Sequence, residues 1–133
     1  MSRPLPAVSL AAVPGRRKKT LAIAKEIEKR GFSGIYCPSF GDALGLCQGV
    51  ASVTESIPFG TSIVNIYTRH PADFSSTAAF IHEISGKRFQ LGVGVSHAPM
   101  NKRLGLATGK PLSDMRDFVE KIKNINRIAL IND

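Results

Sequence analysis

Short apolar runs alternate with amphipathic helical patterns four times along the chain, and this alternation constrains the fold most strongly. The apolar runs lie at residues 6–13, 34–37, 59–66 and 89–95. Helical patterns follow at residues 16–30 and 43–55, from Pro71 to a stop at Gly86, and at residues 111–123. Because each helix returns the chain to the start of the next strand, the strands are predicted to form a parallel sheet.

The size of these units narrows the fold class. Each strand with its helix spans about 25 to 30 residues, the size of one unit of a (β/α)₈ barrel. The pattern alone leaves two α/β folds open, a parallel (β/α)₄ half of such a barrel or a doubly wound open sheet. The tail, about residues 124–133, is predicted to be either a fifth strand at 128–131 or an apolar extension.

The predicted helices have apolar stripes and clear end signals. Asp42 is predicted to cap the second helix, and Gly45 and Gly49 to let it pack closely. Residues 96–110 are predicted to be a long polar connection. The stripes are Ile23, Ala24 and Ile27; Leu46, Val50 and Val53; Phe74, Ala78, Ile81 and Ile84; and Met115, Phe118, Val119 and Ile122.

Composition favours one globular domain over residues 1–133. Of the 133 residues, 43% are hydrophobic and 21% charged, and no apolar run approaches the roughly 20 residues of a membrane span. The first residues lack the apolar block of a secretion signal. We therefore expect a cytoplasmic chain that does not contact membranes.

The net charge of +8 raises the question of an anionic partner. The densest basic cluster, RRKK at residues 16–19, opens a helical pattern. No RNA-binding aromatic signature or zinc spacing accompanies it, so a solvated helix face is favoured and no nucleic-acid binding is predicted.

The cysteines and histidines predict no metal site. Cys37 and Cys47 are expected to be free thiols that act as small buried hydrophobic residues. The histidines at positions 70, 82 and 97 lack metal-ligand spacing, and neither Cys nor a carboxylate completes a site.

Four segments carry a resemblance to a known family. They are VASVTESI at 50–57, GTSIVN followed by YTRHP at 60–71, ISGKRF at 84–89 and LGVGVSHAP at 91–99. Together they resemble the N-terminal half of the luciferase-like monooxygenase family, over residues 5–123. The resemblance implies a (β/α)₈-type barrel and a cofactor that is F420 or FMN, and SHAPMNKRLG resembles the F420-dependent branch.

The resemblance also implies where the cofactor ring binds. A non-proline cis peptide bond is expected at Ser62–Ile63, behind the ring, and Asn65 is expected at the polar edge of the ring. Ser39 and Phe40 align with a catalytic or contact pair, often Asp-His, of F420-using relatives. Since Phe cannot move a proton, this departure removes proton transfer from that loop, and the two residues are expected to line the pocket.

After the fourth strand, the resemblance points to His97 as the catalytic residue and to Ser96 as a neighbouring contact. A histidine titrates near neutrality, which suits proton transfer; the alternative is a loop histidine with a structural hydrogen bond. His70 is expected to order a strand-to-helix turn, and His82 to lie on a helix surface. Gly92, within a lone G-x-G, is expected to permit close approach of a neighbouring backbone or a flat ring.

Two hypotheses follow. The first is a truncated luciferase-like flavin- or F420-dependent oxidoreductase, catalysing hydride transfer or monooxygenation as an oligomer, because in the family later units hold the cofactor phosphate. The alternative is a non-catalytic half-barrel scaffold or binding module. Both predict a homodimer in which a second copy covers the apolar inner face.

Overall fold

The computed structural model describes residues 4–131, and those residues form two compact units. Unit 1 comprises the chain up to Val64 together with Ala78–Gly92. Unit 2 comprises Asn65–Thr77 and the chain from Val93 onward. No helix within the described part of the chain is both long and apolar enough to cross a membrane.

Unit 1 contains a parallel four-stranded sheet with the order β1-β2-β3-β5. The strands are β1 (Val8–Ser9), β2 (Ile35–Cys37), β3 (Phe59–Thr61) and β5 (Phe89–Gln90). Their neighbours in the sheet follow chain order, as expected when each helix returns the chain to one end of the sheet. The predicted parallel sheet is confirmed.

Two helices of unit 1 lie where the sequence predicts them. In α1 (Arg17–Lys29) the buried residues are Thr20, Ala24 and Ile27, whereas Ile23 is 44% exposed, so its predicted place in the core stripe is wrong. The inner face of α1 therefore includes Thr20 in place of Ile23, and the Thr20 hydroxyl donates a hydrogen bond to the Arg16 carbonyl.

The second helix, α2 (Ala43–Val53), confirms its predicted cap and its close packing. The Asp42 carboxylate accepts a hydrogen bond of 2.9 Å from the Gly45 N–H. A Cβ on Gly49 would lie 2.6 Å from a methyl group of Leu21, so glycine there lets α1 approach α2.

Two of the predicted strands are each divided in two. Residues 59–66 form β3 and then β4 (Val64–Asn65), and residues 89–95 form β5 and then β6 (Val93–Gly94). The Thr61 hydroxyl donates to the Gly92 carbonyl (2.8 Å) and accepts from the Gly92 N–H (2.9 Å). The Gly92 N–H is thus paired with a side chain, while its carbonyl also accepts from the Val64 backbone N–H at 2.9 Å. A Cβ on Gly92 would collide with the Thr61 carbonyl, which confirms the close backbone approach predicted for this glycine.

The helix α3 (Pro71–Ile84) begins in unit 2 and ends in unit 1, and α4 (Ala98–Arg103) and α5 (Pro111–Ile131) belong to unit 2. In unit 2 the Phe74 and Phe118 rings meet edge to face, with centroids 5.3 Å apart. In α3, Ile84 is 43% exposed, which corrects its predicted core position.

Two predictions about the C-terminal part of the chain are wrong. The predicted polar connection over residues 96–110 contains α4. The last helix continues to Ile131, so residues 128–131 are helical and not a strand.

The loop between α2 and β3 is held by Glu28 of α1. Its carboxylate accepts hydrogen bonds from the backbone N–H groups of Glu55, Ser56 and Ile57, at 2.8 to 3.1 Å. Burial disfavours the charged carboxylate, but these hydrogen bonds outweigh burial and lower the pKa of Glu28 below its ordinary value.

We predict that Glu28→Gln lowers the free energy of unfolding by about 2 kcal/mol at pH 7, because bonds to a charged acceptor are stronger than bonds to a neutral one. A carboxylate whose pKa is lowered in the folded protein stabilises the fold at a pH above its ordinary pKa of 4.5. This stabilisation is lost as the pH falls through the pKa of the folded state. Urea unfolding should therefore show a smaller difference at about pH 3 than at pH 7. Glu26→Gln, in an exposed ion pair with Arg30, is the control and should change little.

Candidate functional site

In unit 1 the predicted site residues directly follow the carboxyl ends of β2 and β3. Ser39 is exposed, and Phe40 is 54% exposed. The Ser62 N–H donates to the Cys37 carbonyl at 2.8 Å, which ties the end of β3 to the end of β2. The Ser62–Ile63 peptide bond is cis, as the resemblance implied.

In unit 2 Asn65 belongs to a buried amide network. Asn65 is 5% exposed and Asn101 is 6% exposed. The Asn65 Nδ2 donates to the Asn101 Oδ1 at 2.7 Å, while the Asn101 Nδ2 donates to the Val95 carbonyl at 2.9 Å. The Asn65 Oδ1 accepts from the Tyr67 N–H at 3.0 Å. Asn65 therefore fixes the backbone after β4 and the segment after β6.

Ser96 and His97 follow β6, and both are exposed. Ser96 has a φ of +58°, a left-handed conformation that non-glycine residues seldom adopt and that is frequent at functional sites. The His97 Nδ1 accepts a hydrogen bond of 3.2 Å from the Met100 N–H and so caps α4. Because Nδ1 is the acceptor, the neutral imidazole carries its proton on Nε2.

The other two histidines have the positions that the sequence predicts. The His70 Nδ1 accepts a hydrogen bond of 3.0 Å from the Ala72 N–H and orders the start of α3. His82 is exposed on α3. Within residues 4–131, no group of three or more His, Cys, Asp or Glu side chains has an arrangement that holds a metal ion.

Cys37 and Cys47 are buried free thiols, which confirms their prediction. A hydrogen bond with Cys37 and burial both raise the pKa of Cys47, so this thiol stays protonated. Cys37 ends β2 directly before the segment that carries Ser39 and Phe40, and its role there is packing.

A tyrosine–aspartate pair in unit 2 was missed by the sequence reasoning. The Tyr67 hydroxyl donates to the Asp114 carboxylate at 2.7 Å, and the same carboxylate accepts from the Gly109 N–H at 2.9 Å. Asp114 also lies in the first turn of α5, where a carboxylate suits the helix dipole. The pairing connects residues 47 apart in the chain, and no local pattern signals it.

This pair predicts an alkaline titration. The Asp114 carboxylate raises the pKa of Tyr67 to about 12, because it accepts a hydrogen bond from the neutral phenol and repels a phenolate. In a Tyr36→Phe variant, which leaves Tyr67 as the only tyrosine, phenolate absorbance should rise with a midpoint near pH 12. Adding Asp114→Asn should move that midpoint towards 10. The hydrogen bond stabilises the fold below about pH 10 and is lost as the pH rises towards 12. A midpoint that Asp114→Asn leaves unchanged would exclude the pair.

Comparison of the sequence with known proteins shows the family of the chain. The model of the luciferase-like monooxygenase family matches residues 5–128. A 5,10-methylenetetrahydromethanopterin reductase from Methanolobus tindarius is 29% identical over 103 residues, 75% of this chain and 32% of that protein. The reductase of the same name from Archaeoglobus fulgidus is 37% identical over 76 residues, 57% of this chain and 23% of that protein.

Solved structures show the same fold. A coenzyme F420 dependent tetrahydromethanopterin reductase from Methanopyrus kandleri aligns with a TM-score of 0.75 at 22% identity, covering 90% of this chain and 39% of that one. The oxygenating constituent of 3,6-diketocamphane monooxygenase from Pseudomonas putida, in complex with FMN, aligns with a TM-score of 0.79 at 15% identity, covering 94% and 40%.

The chain spans a third or less of the length of these curated relatives and about two fifths of these solved structures. With the parallel sheet of unit 1, this coverage decides between the two folds that the sequence left open. The fold is a parallel (β/α)₄ half of a TIM-type barrel. The chain belongs to the luciferase-like monooxygenase family.

Proposed function

We propose that this chain binds the ring of F420 or FMN and takes part in hydride transfer or monooxygenation on an organic substrate. One observation carries the proposal. The residues that follow the carboxyl ends of β2, β3 and β6 keep exposed surface, which is where parallel α/β barrels bind their ligands. The solved structures reported above include one protein named as dependent on coenzyme F420 and one in complex with FMN.

The side chains of unit 1 fit a flat, largely apolar ring with a polar edge. Phe40 offers an exposed aromatic face for stacking. The backbone bond from Ser62 to Cys37 keeps the end of β3 beside the loop of Ser39. Ser39 and Ser62 are exposed hydroxyl groups that donate or accept hydrogen bonds at the ring edge, and Ile63 adds apolar surface.

In unit 2 we assign the proton-handling role to His97. Its Nδ1 accepts from the Met100 N–H and its Nε2 carries the proton, so Nε2 presents a proton to the ligand, and a proton is taken up at Nδ1 once the bond to Met100 is released. Neither Ser39 nor Phe40 titrates near neutral pH. Asn65 keeps a second N–H on Nδ2 besides the one that it donates to Asn101, and we assign that N–H to the polar edge of the ring. Ser96 presents its hydroxyl beside His97.

The bound cofactor supplies the hydride or oxygen chemistry, and the protein supplies orientation and proton transfer. The assigned residues include no Lys or Arg, so they fit the ring of the cofactor rather than its phosphate.

Ring fluorescence tests the proposal. F420 and FMN are titrated into the full chain, and quenching with a dissociation constant in about the micromolar range is expected for one of them. His97→Asn keeps an acceptor for the α4 cap but removes the imidazole, and Phe40→Ala removes the stacking face. Each should weaken binding about tenfold. The control is His82→Ala, on the exposed face of α3, which should bind like the parent.

Quenching by neither cofactor would contradict the proposal. That result would favour the second candidate, a non-catalytic half-barrel scaffold or binding module. The absence of a titratable side chain at Ser39 and Phe40 is the observation that favours this candidate.

We also propose that the chain works as a homo-oligomer, with a second copy over its open inner face. Within the described residues of unit 1, β1 and β5 are the outer strands of the sheet, and outer strands offer unpaired backbone groups to another chain. Sedimentation velocity should show a dimer or higher assembly whose fraction rises with concentration. A monomer at all concentrations that does not bind an apolar dye would contradict this.

A further inference from the structure

Unit 1 contains a basic cluster that the proposed function does not use. Arg16, Arg17, Lys18 and Lys19 are all exposed, and Arg17 is the first residue of α1. The first turn of α1 contains no acidic residue, and no side chain caps it. Four consecutive cations repel one another at short range, so an anion placed among them relieves that repulsion.

The cluster borders a cavity of about 330 Å³. Its wall is apolar at Ala12, Leu21 and Leu46 and polar at Arg17 and Asp42. Two of the three apolar wall residues are buried, Ala12 at 2% and Leu46 at 5% exposure. The volume is at the lower end of the range for sites that bind small molecules.

The guanidinium of Arg17 is fixed at this cavity. Its Nη2 donates to the Gly41 carbonyl at 2.9 Å, and a guanidinium carries five N–H groups in a planar fork. This bond restrains the side chain. The remaining N–H groups of the guanidinium keep the planar arrangement that suits a phosphate or a carboxylate. The Asp42 carboxylate, which accepts from the Gly45 N–H, also lines the cavity and repels an anionic group. Arg17 is therefore the lining residue that attracts an anion.

We propose that this cavity binds a small organic anion. Its phosphate or carboxylate pairs with Arg17, and its apolar body lies against Ala12, Leu21 and Leu46. The site shares no residue with the ring contacts proposed above, and Gly41, which holds Arg17, directly follows Phe40.

The probe is 1-naphthyl phosphate, followed by its own fluorescence anisotropy with the full chain at constant ionic strength. It should bind about tenfold more tightly than 1-naphthol, which lacks the anion, or than inorganic phosphate, which lacks the apolar body. Comparison with 1-naphthoate shows whether the cavity prefers a phosphate or a carboxylate. Binding of either anion about tenfold more tightly than 1-naphthol supports the proposal.

Arg17→Ala should weaken binding of the anionic probe about tenfold, and Arg17→Lys should restore part of it. Lys25→Ala removes an exposed charge from the same helix away from the cavity and should have less than about a twofold effect. Far-UV circular dichroism shows that each variant folds.

Three results would overturn the inference: no binding of either anion, equal binding of 1-naphthol and the anions, or the same loss in Lys25→Ala as in Arg17→Ala. Binding of 1-naphthyl phosphate without quenching by F420 or FMN would keep this site and reject the proposed cofactor function.

Discussion

Replacing Gly60 by alanine should lower the free energy of unfolding by about 3 kcal/mol. Gly60 lies in β3, paired with Tyr36 of β2 on one side and Gln90 of β5 on the other. A Cβ at this position would collide with the backbone carbonyl of Gln90. A backbone atom within a sheet cannot rotate away as a side chain can, so β3 and β5 must separate. The neighbouring Phe59–Phe89 pairing would then be lost as well.

Urea unfolding of Gly60→Ala and Gly15→Ala measures this effect. Gly15 is a glycine of a different kind: its φ of +83° favours glycine, but a Cβ there would meet no atom within 4 Å. Gly15→Ala should therefore cost about 1 kcal/mol, for backbone conformation alone. Equal losses in the two variants would show that β3 and β5 are not in close contact at Gly60.

Arg88→Met should lower the free energy of unfolding by about 3 to 4 kcal/mol, because it leaves several buried acceptors without a donor. The Arg88 guanidinium donates to the carbonyls of Ile57 (2.7 Å), Ser85 (2.7 Å) and Thr54 (3.0 Å). It also lies over the Phe59 ring, with its central carbon 5.2 Å from the centroid. Methionine keeps the apolar stem but provides no donor.

Thermal unfolding of Arg88→Met beside Arg30→Met tests this role. Arg30 forms an exposed ion pair with Glu26 at 2.9 Å, and exposed pairs contribute little to stability. The Arg88 variant should unfold at a clearly lower temperature than the Arg30 variant. If the two unfold together, the hydrogen bonds of Arg88 do not hold the loop between α2 and β3.

Arg88 also explains part of the sequence resemblance. The segment ISGKRF at residues 84–89 contributed to recognition of the family. In the structure Ser85 and Arg88 hold the end of α3 against the loop after α2, and Phe89 packs on Phe59. That segment is thus structural, whereas the proposed site residues follow the carboxyl ends of the strands.

Much of the fold could be predicted because local signals determine it. The period of the apolar residues and the cap at Asp42 located α1 and α2 to within two residues. The break between β3 and β4 falls at Ser62–Ile63, where the resemblance implied a cis peptide bond, whereas the bonding of the Thr61 side chain to Gly92, 31 residues away, could not be predicted. The exposure of Ile23 depends likewise on which face of α1 packs inward.

The candidate site was predicted less completely. Ser39, Phe40, Ser96 and His97 were assigned from the family resemblance, and the structure places them after β2 and β6, at strand ends of the kind that position ligand-binding residues in this fold class. The burial of Asn65 against Asn101 was not predicted in detail, because that contact joins two segments 36 residues apart. The Tyr67–Asp114 hydrogen bond was not predicted for the same reason, since it joins residues 47 apart in the chain.

Amide chemical shifts of the ¹⁵N-labelled chain during a titration with F420, and then with FMN, test the central claim most directly. One of the two cofactors should shift the amides of Ser39, Phe40, Ser62, Ile63, Ser96 and His97, which follow the carboxyl ends of the strands. The amides of Gly34 and Arg88, which precede β2 and β5, should stay in place. Shifts confined to Gly34, Arg88 and their neighbours, or no shifts with either cofactor, would contradict the account.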